Sequence, residues 1–299
     1  MSAPNAIAVA SMKGGVGKTS LVANLAGESA RLGLPTCVID LDPQGDVASD
    51  LGIRQRDESD LGARLYLAVV DGQPVQPLAG VRPNLDVVPG GNWSRRLSEH
   101  LRTAGPLGLD HLVRDLASRY QLVFIDCPPS AGELLTAALV SAGNLIVPTR
   151  GDQKSFDGMV RLSEEFLMVK SKENPALDVL GVVLFGFPRS ATRQLEMVRR
   201  QIGEDLGDNM LLFDTSIRHL DAPVLQIQRA GRLAQDISAS ESASGVGLAE
   251  DYQALFREVY GRLQHRWENE PPLLPDTAPA EPEIDPNART GLLSRIFRR

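Results

Sequence analysis

Lys13-Gly14-Gly15-Val16-Gly17-Lys18-Thr19 is the stretch that decides the fold. Rich in glycine and closed by Gly-Lys-Thr, it fits a phosphate-cradling loop, whose successive backbone N–H groups face an anion. The flanking residues supply the context that the pattern needs. Ala6 to Ala10 (Ala-Ile-Ala-Val-Ala) is a small apolar run suited to a buried parallel strand. From Thr19 to Leu32, residues Leu21, Val22, Leu25, Ala26 and Ser29 recur at helical spacing, and Gly33 closes the segment. Strand, loop and helix thus follow in the order that sets a helix N-terminus against a phosphate. In this reading Gly14, Gly15, Val16 and Gly17 shape the loop, Lys18 reaches the β and γ phosphates, the Thr19 hydroxyl ligates Mg²⁺, and Ser20 joins the nucleotide contacts. The expected cofactors are ATP and Mg²⁺. Lys13 is surplus to that task, because Lys18 already serves the loop's own triphosphate. It is expected to act on a different nucleotide.

Two further segments carry acids at strand ends. Val38-Ile39-Asp40-Leu41-Asp42-Pro43-Gln44-Gly45-Asp46 and Leu122-Val123-Phe124-Ile125-Asp126-Cys127-Pro128-Pro129-Ser130 are apolar runs ending in Asp. Such strands place carboxylates at the carboxyl edge of a parallel sheet, beside the phosphate loop. Asp126 is expected to support Mg²⁺, and Asp42 to orient the attacking water in an in-line phosphoryl transfer. Read alone, Asp-Pro and Asp-x-Pro-Pro are turn formers. The loop upstream is what turns them into site candidates.

Strand-like and helix-like segments alternate through the chain, which predicts an α/β fold with a mostly parallel twisted sheet covered on both faces. Expected strands are Ala6–Ala10, Thr36–Asp40, Leu85–Val88, Leu122–Ile125, Asn144–Val147, Val179–Phe185 and Met210–Phe213. Expected helices cover 18–32, 61–70, 107–119, 131–142, 155–170, 190–203 and 248–267. The 299 residues, 42% hydrophobic and 23% charged, suit one large domain over residues 1–267. Residues 268–288 hold six prolines and six acids and no Lys or Arg. Residues 268–289 are therefore expected to be an extended acidic linker, with 290–299 as a separate cationic tail. A net charge of −7 argues against a constitutive nucleic-acid binder. Cys37 and Cys127 lie in apolar segments and read as buried free thiols of a reducing compartment. No run approaches 18 apolar residues and the N-terminus lacks a signal pattern, so a cytoplasmic location is expected.

Lys-Gly-Gly-Val-Gly-Lys-Thr, then Asp-Leu-Asp-Pro-Gln-Gly, then Asp-Cys-Pro-Pro-Ser resembles the ParA/MinD family of deviant Walker A ATPases. Leu85 to Gly90 and Phe213 to Arg218 are similar to later family segments, and the likeness spans roughly residues 5–265. The resemblance implies a slow ATPase that forms a face-to-face homodimer around two nucleotides. Lys13 then reaches the partner's nucleotide, as an arginine finger does. It also implies an activating protein partner and a role in positioning a plasmid, chromosome region, protein complex or division machinery. Met12 and Asp46 depart from the commonest family wording. The alternative on the same fold is a metabolic ATP-dependent carboxylate-activating ligase. A third reading, an iron–sulfur electron-transfer ATPase, is disfavoured because Cys127 and Cys37 are poorly placed to share a cluster between subunits.

Two surfaces on which such a dimer could act are written in the chain. Arginines 189, 193, 199, 200, 218, 229 and 232 are candidates for non-specific DNA, with Arg193 and Arg218 foremost, although six acids nearly balance them. In Gly291-Leu292-Leu293-Ser294-Arg295-Ile296-Phe297-Arg298-Arg299, residues Leu292, Leu293, Ile296 and Phe297 fall on one side at 100° per residue. Such a cationic amphipathic helix suits a membrane surface, weakly for one tail and better for two on a dimer. Nucleoid association and peripheral attachment at the inner face of the membrane are both open on these signals.

Overall fold

The structure, a computed structural model, describes residues 3–53, 60–187, 193, 195–200, 212–218 and 230–268. Apart from Glu268, the expected linker and tail, with Leu292, Leu293, Ile296 and Phe297, lie outside the described residues, as do Arg189 and Arg229.

Among the described residues eight strands form one sheet in the order β3-β4-β2-β5-β1-β6-β7-β8. They are β1 (Ala3–Val9), β2 (Thr36–Asp40), β3 (Leu78–Arg82), β4 (Leu85–Val88), β5 (Leu122–Asp126), β6 (Ala142–Thr149), β7 (Asp178–Phe187) and β8 (Ile217–Arg218). All pairings are parallel except β3 with β4. β1 is central because Ile7, Ala8 and Val9 are small or branched apolar residues, and it is buried on both faces. From β1 the chain crosses to β2 on one side and later to β6 on the other. This reversal opens a crevice at the carboxyl ends of β1, β5 and β2. The register puts Val9 beside Asp126 and Asp40 beside Asp126, so the two strand-end acids share one edge.

The helices are α1 (Lys18–Arg31), α2 (Asp46–Asp50), α3 (Ala63–Asp71), α4 (Trp93–Ala104), α5 (Leu107–Arg119), α6 (Glu133–Ser141), α7 (Gln153–Lys172) and α8 (Ala243–Trp267). One apolar core, containing Leu109, Leu116, Leu135, Leu139 and Leu162, joins α5, α6 and α7 to one sheet face. A second, with Leu21, Leu25, Tyr252, Phe256 and Val259, seats α1 and α8 on the other.

Several sequence expectations need adjusting. β1 begins at Ala3 rather than Ala6, and α8 begins at Ala243, where Ser242 caps it by accepting from the Gly245 N–H at 3.1 Å. Of Met210–Phe213, residues 210–211 are outside the described set and Leu212 makes only an isolated bridge to Val182. Among the described strands and α-helices, four had no counterpart in the sequence reading: α2, α4, β3 and β8. α4 buries only Ser94, Leu97 and Leu101, too thin an apolar stripe to stand out among its arginines. β3 is an edge strand with no fully buried residue.

Candidate nucleotide site

The loop between β1 and α1 wraps the end of the central strand. Gly15 and Gly17 have φ of 71° and 97°, left-handed conformations that side chains resist. At Gly17 a Cβ would also fall 2.5 Å from the Phe185 ring, so both backbone and neighbour demand glycine there. A Cβ on Gly14 or Gly15 would meet nothing within 4 Å, so this side of the loop is an open concavity. The cleft in front measures about 430 Å³ and is lined by Gly14, Gly15, Gly17, Lys18, Thr19, Ser20, Asp42, Gln44, Asp46, Asp50, Pro129, Arg150 and Phe185.

Lys18 is buried, and its ammonium points back along the loop toward the Lys13 carbonyl at 3.4 Å. Burial lowers its pKa, opposed by the nearby Asp126 carboxylate. Thr19 donates its hydroxyl to Asp126 Oδ2 at 2.7 Å. Asp126 Oδ1 is buried and has no hydrogen-bond partner. Burial raises the Asp126 pKa to about 7, against the Thr19 hydrogen bond and the Lys18 charge. Asp40, fully buried, is pushed up as well, first by burial and then by Asp126. An orphaned buried carboxylate oxygen beside a threonine hydroxyl is a hard-oxygen donor set, which fits Mg²⁺. No trio of His, Cys, Asp or Glu forms a metal cage among the described residues.

The acid loop after β2 is folded by its own carboxylates. Asp40 Oδ1 accepts the Asp42 N–H at 2.9 Å and Oδ2 accepts the Val47 N–H at 3.3 Å. Asp42 Oδ1 in turn accepts the Gln44 N–H at 2.9 Å. Asp42 is thereby held half-buried on the cleft wall, opposite the glycine loop. Asp40 therefore serves as the brace for Asp42, a role that the sequence reading left unassigned.

Lys13 has a partner that the sequence did not indicate. Its ammonium lies 2.7 Å and 2.5 Å from the two carboxylate oxygens of Asp152 and 3.2 Å from Ser155 Oγ. Asp152 is the N-cap of α7, accepting the Ser155 N–H at 2.9 Å. Lys13 depresses the Asp152 pKa through this hydrogen bond. In the single chain, then, Lys13 is turned along its own α7. Removing the cap in Asp152→Ala is expected to cost about 1 kcal/mol of stability. Thermal denaturation checks this, and an unchanged melting temperature would count against the cap.

Asp50, Ser20 and Arg150 complete the cleft and were unassigned or only partly assigned. Ser20 Oγ donates to Asp50 Oδ2 at 3.3 Å, and burial lifts the Asp50 pKa to about 6. Nothing in the local sequence around Asp50 or Arg150 marks them, because only the fold brings them to the loop.

Arg218 has an acidic partner in the fold. Its Nε and Nη2 each lie 2.6 Å from the Asp251 carboxylate, which also accepts the Arg218 N–H at 3.0 Å. α8 makes room for the guanidinium at Gly247, where a Cβ would collide with it. The guanidinium is thus paired inside the fold. Arg232 is likewise paired with Glu241, and Arg199 donates to the Asp214 carbonyl at 2.6 Å. Arg193 and Arg200 are the exposed members of the set among the described residues.

Residues 4–179 match the family model described as an AAA domain. The chain is 32% identical over 206 residues to "Chromosome partitioning protein ParA" of Myxococcus xanthus, covering 66% of this chain and 70% of that protein. It is 29% identical over 261 residues to "Chromosome-partitioning ATPase Soj" of Thermus thermophilus, covering 86% and 96%. Among solved structures, apo McdA from Cyanothece superposes with a TM-score of 0.70 at 22% identity over 87% of this chain and 99% of that one. Cobyrinic acid a,c-diamide synthase from Mycobacterium smegmatis with ADP and magnesium gives 0.66 at 22% over 93% and 100%. The ParA of pNOB8 bound to nonspecific DNA gives 0.63 at 17% over 87% and 99%. At these identities the solved structures speak for the fold alone.

Proposed function

The chain belongs to the ParA/MinD family of P-loop ATPases, and from that premise we propose that it is a nucleotide-switched homodimer that positions a cargo. It is an ATPase with ATP as substrate and Mg²⁺ as cofactor. The observation that carries the detailed reading is the juxtaposition at the β1, β2 and β5 edge. There the open Gly14–Gly15 concavity, the buried Lys18 and the Thr19–Asp126 pair with its orphaned oxygen meet in one cleft. Lys18 and the N–H groups of Gly14 to Ser20 hold the phosphates, with the α1 N-terminus behind them. Thr19 and Asp126 hold Mg²⁺, which when bound neutralises charge developing on the transferred phosphoryl group. Asp42, braced by Asp40, orients the attacking water. Lys13 leaves Asp152 on dimerisation and lends its charge to the partner's nucleotide, coupling turnover to assembly.

The experiment is sedimentation velocity of the full chain with ATP, ADP or no nucleotide, alongside phosphate release. The expected result is a dimer with ATP-Mg²⁺ only and release of ADP and phosphate as sole products. A monomer under all three conditions removes the switch. A third product formed from a carboxylate substrate would instead favour the ligase reading, which the diamide synthase likeness makes specific.

Non-specific DNA is the surface favoured for the dimer, because the ParA of Myxococcus xanthus and the Soj of Thermus thermophilus are named for chromosome partitioning. Arg193→Ala with Arg200→Ala is expected to weaken DNA binding by at least about tenfold and to flatten its salt dependence. Arg218→Ala is expected to cost about 2–3 kcal/mol of stability by stranding Asp251, with no specific DNA defect at a temperature where it stays folded. Electrophoretic mobility shifts and denaturant melts separate the two, and a DNA defect confined to Arg218→Ala reverses the assignment. A lipid role for the 290–299 tail is tested by vesicle sedimentation after its deletion. An activating protein partner would reveal itself by accelerating phosphate release.

A further inference from the structure

Outside the nucleotide cleft, the clearest unpartnered apolar surface among the described residues is on α7. Its buried side carries Phe156, Met159, Leu162 and Val169. Its outer side exposes Val160, Leu167 and Met168 at 47%, 61% and 39%. Spaced i, i+7 and i+8, these three form one stripe, and exposed Glu164 sits on it between Val160 and Met168. α7 has 20 residues and so runs about 30 Å, from Asp152 at the nucleotide cleft to the opposite edge of the sheet.

That far end is where the chain leaves the fold. Lys170 donates to the Leu177 carbonyl at 2.7 Å and lies 3.5 Å from Asp178 Oδ1. Asp178 Oδ2 is also 3.7 Å from Arg266 at the end of α8, whose Trp267 indole donates to the Pro4 carbonyl at 3.0 Å. One carboxylate thus bridges the C-terminal ends of α7 and α8, which pack on opposite faces of the sheet, so Glu268 lies at the same end of the fold as Leu167 and Met168. A coil of the 24 residue steps that separate Glu268 from Leu292 has a root-mean-square span of at least about 25 Å. The distance from Lys170 back to Val160 is about 15 Å of helix.

We propose that residues 290–299 dock on the Val160–Leu167–Met168 stripe of α7 in their own chain. Leu292, Leu293, Ile296 and Phe297 cover the stripe, and Glu164 meets the flanking Arg295 or Arg298. Tethering through the linker keeps the tail at an effective concentration near the millimolar range, so a modest contact suffices. The docking rests on the tail's apolar pattern and not on the ATPase reading, so it is tested without nucleotide.

The test uses the full chain as the double variant Leu167→Cys, Leu293→Cys, with Leu107→Cys, Leu293→Cys as control. Leu107 is as exposed as Leu167, at 63%, on α5, and the native Cys37 and Cys127 are buried. Under mild oxidation the first pair is expected to form an intramolecular disulfide at least about tenfold faster than the control, independent of protein concentration. Equal rates mean that the tail lies elsewhere, and disulfide-linked dimers mean that a second copy covers the stripe; either overturns the proposal. As an independent check, Leu167→Asp is expected to speed trypsin cleavage after Arg295 by about tenfold, the factor that partial burial of one leucine supplies. An unchanged cleavage rate also overturns it.

Discussion

Lys18→Ala is expected to abolish ATP binding, whereas Lys13→Ala retains ATP affinity within about threefold and loses turnover by about a thousandfold, the range of a cation supplied in trans. The structure separates the two lysines physically. Lys18 is buried in the glycine loop with its ammonium inside the concavity and in the field of Asp126. Lys13 points the other way, onto the cap of α7. Deleting Lys18 removes charge from the phosphate cradle itself. Deleting Lys13 leaves the cradle intact and removes only what one chain offers another. Titration with a fluorescent ATP analogue, sedimentation and phosphate release measure the three quantities. If both variants lose ATP affinity equally, Lys13 is part of the chain's own site and the division of roles is wrong.

The second large effect is expected at a residue that touches no phosphate. Gly90→Ala would place a Cβ 2.5 Å from the Asp40 carbonyl oxygen and 2.8 Å from its carboxyl group. Neither side can give way easily. Ile39 and Val88, immediately before Asp40 and two residues before Gly90, are paired in register between β2 and β4. Asp40 also holds the Asp42 and Val47 N–H groups. Overpacking of this kind costs about 3 kcal/mol, and here it also displaces Asp42. Gly14→Ala is the matched control, since a Cβ there meets nothing within 4 Å. Thermal melts are expected to show several degrees of loss for Gly90→Ala and little for Gly14→Ala. Comparable loss in both would mean that the Asp40 contact is not what fixes glycine at 90.

The parts of the site legible in the sequence were those in which a few consecutive residues act together. The glycine loop and the acids at the ends of Val38-Ile39-Asp40 and Phe124-Ile125-Asp126 are local patterns, and the sheet register brings them to one edge. What escaped were partnerships across long stretches of chain. Lys13 and Asp152 are separated by 139 positions, and Arg218 and Asp251 by 33. No local periodicity encodes either pair, so Arg218 read as a free cation. Among elements, α5 emerged at its full extent because Leu109, Leu112, Val113 and Leu116 form a dense helical stripe. α4, resting on Leu97 and Leu101, did not. Its Trp93 is held instead by Tyr66 at 5.2 Å and by Arg96 at 4.6 Å, contacts invisible before folding.

The antiparallel β3 has a consequence for how copies of this chain can meet. β4, with Leu85, Val87 and Val88 around Asp86, would otherwise end the sheet as a short ribbon with open backbone groups, an invitation to cross-β growth. β3 lies along that ribbon with a broken register, exposed Ala79 and Gly80, and Arg82 anchored 2.7 Å from Asp236. A short, irregular hem of this kind, pinned at its end by an ion pair, makes a poor template for further strands. Self-association is thereby steered away from this margin, which closes one route to irreversible fibres.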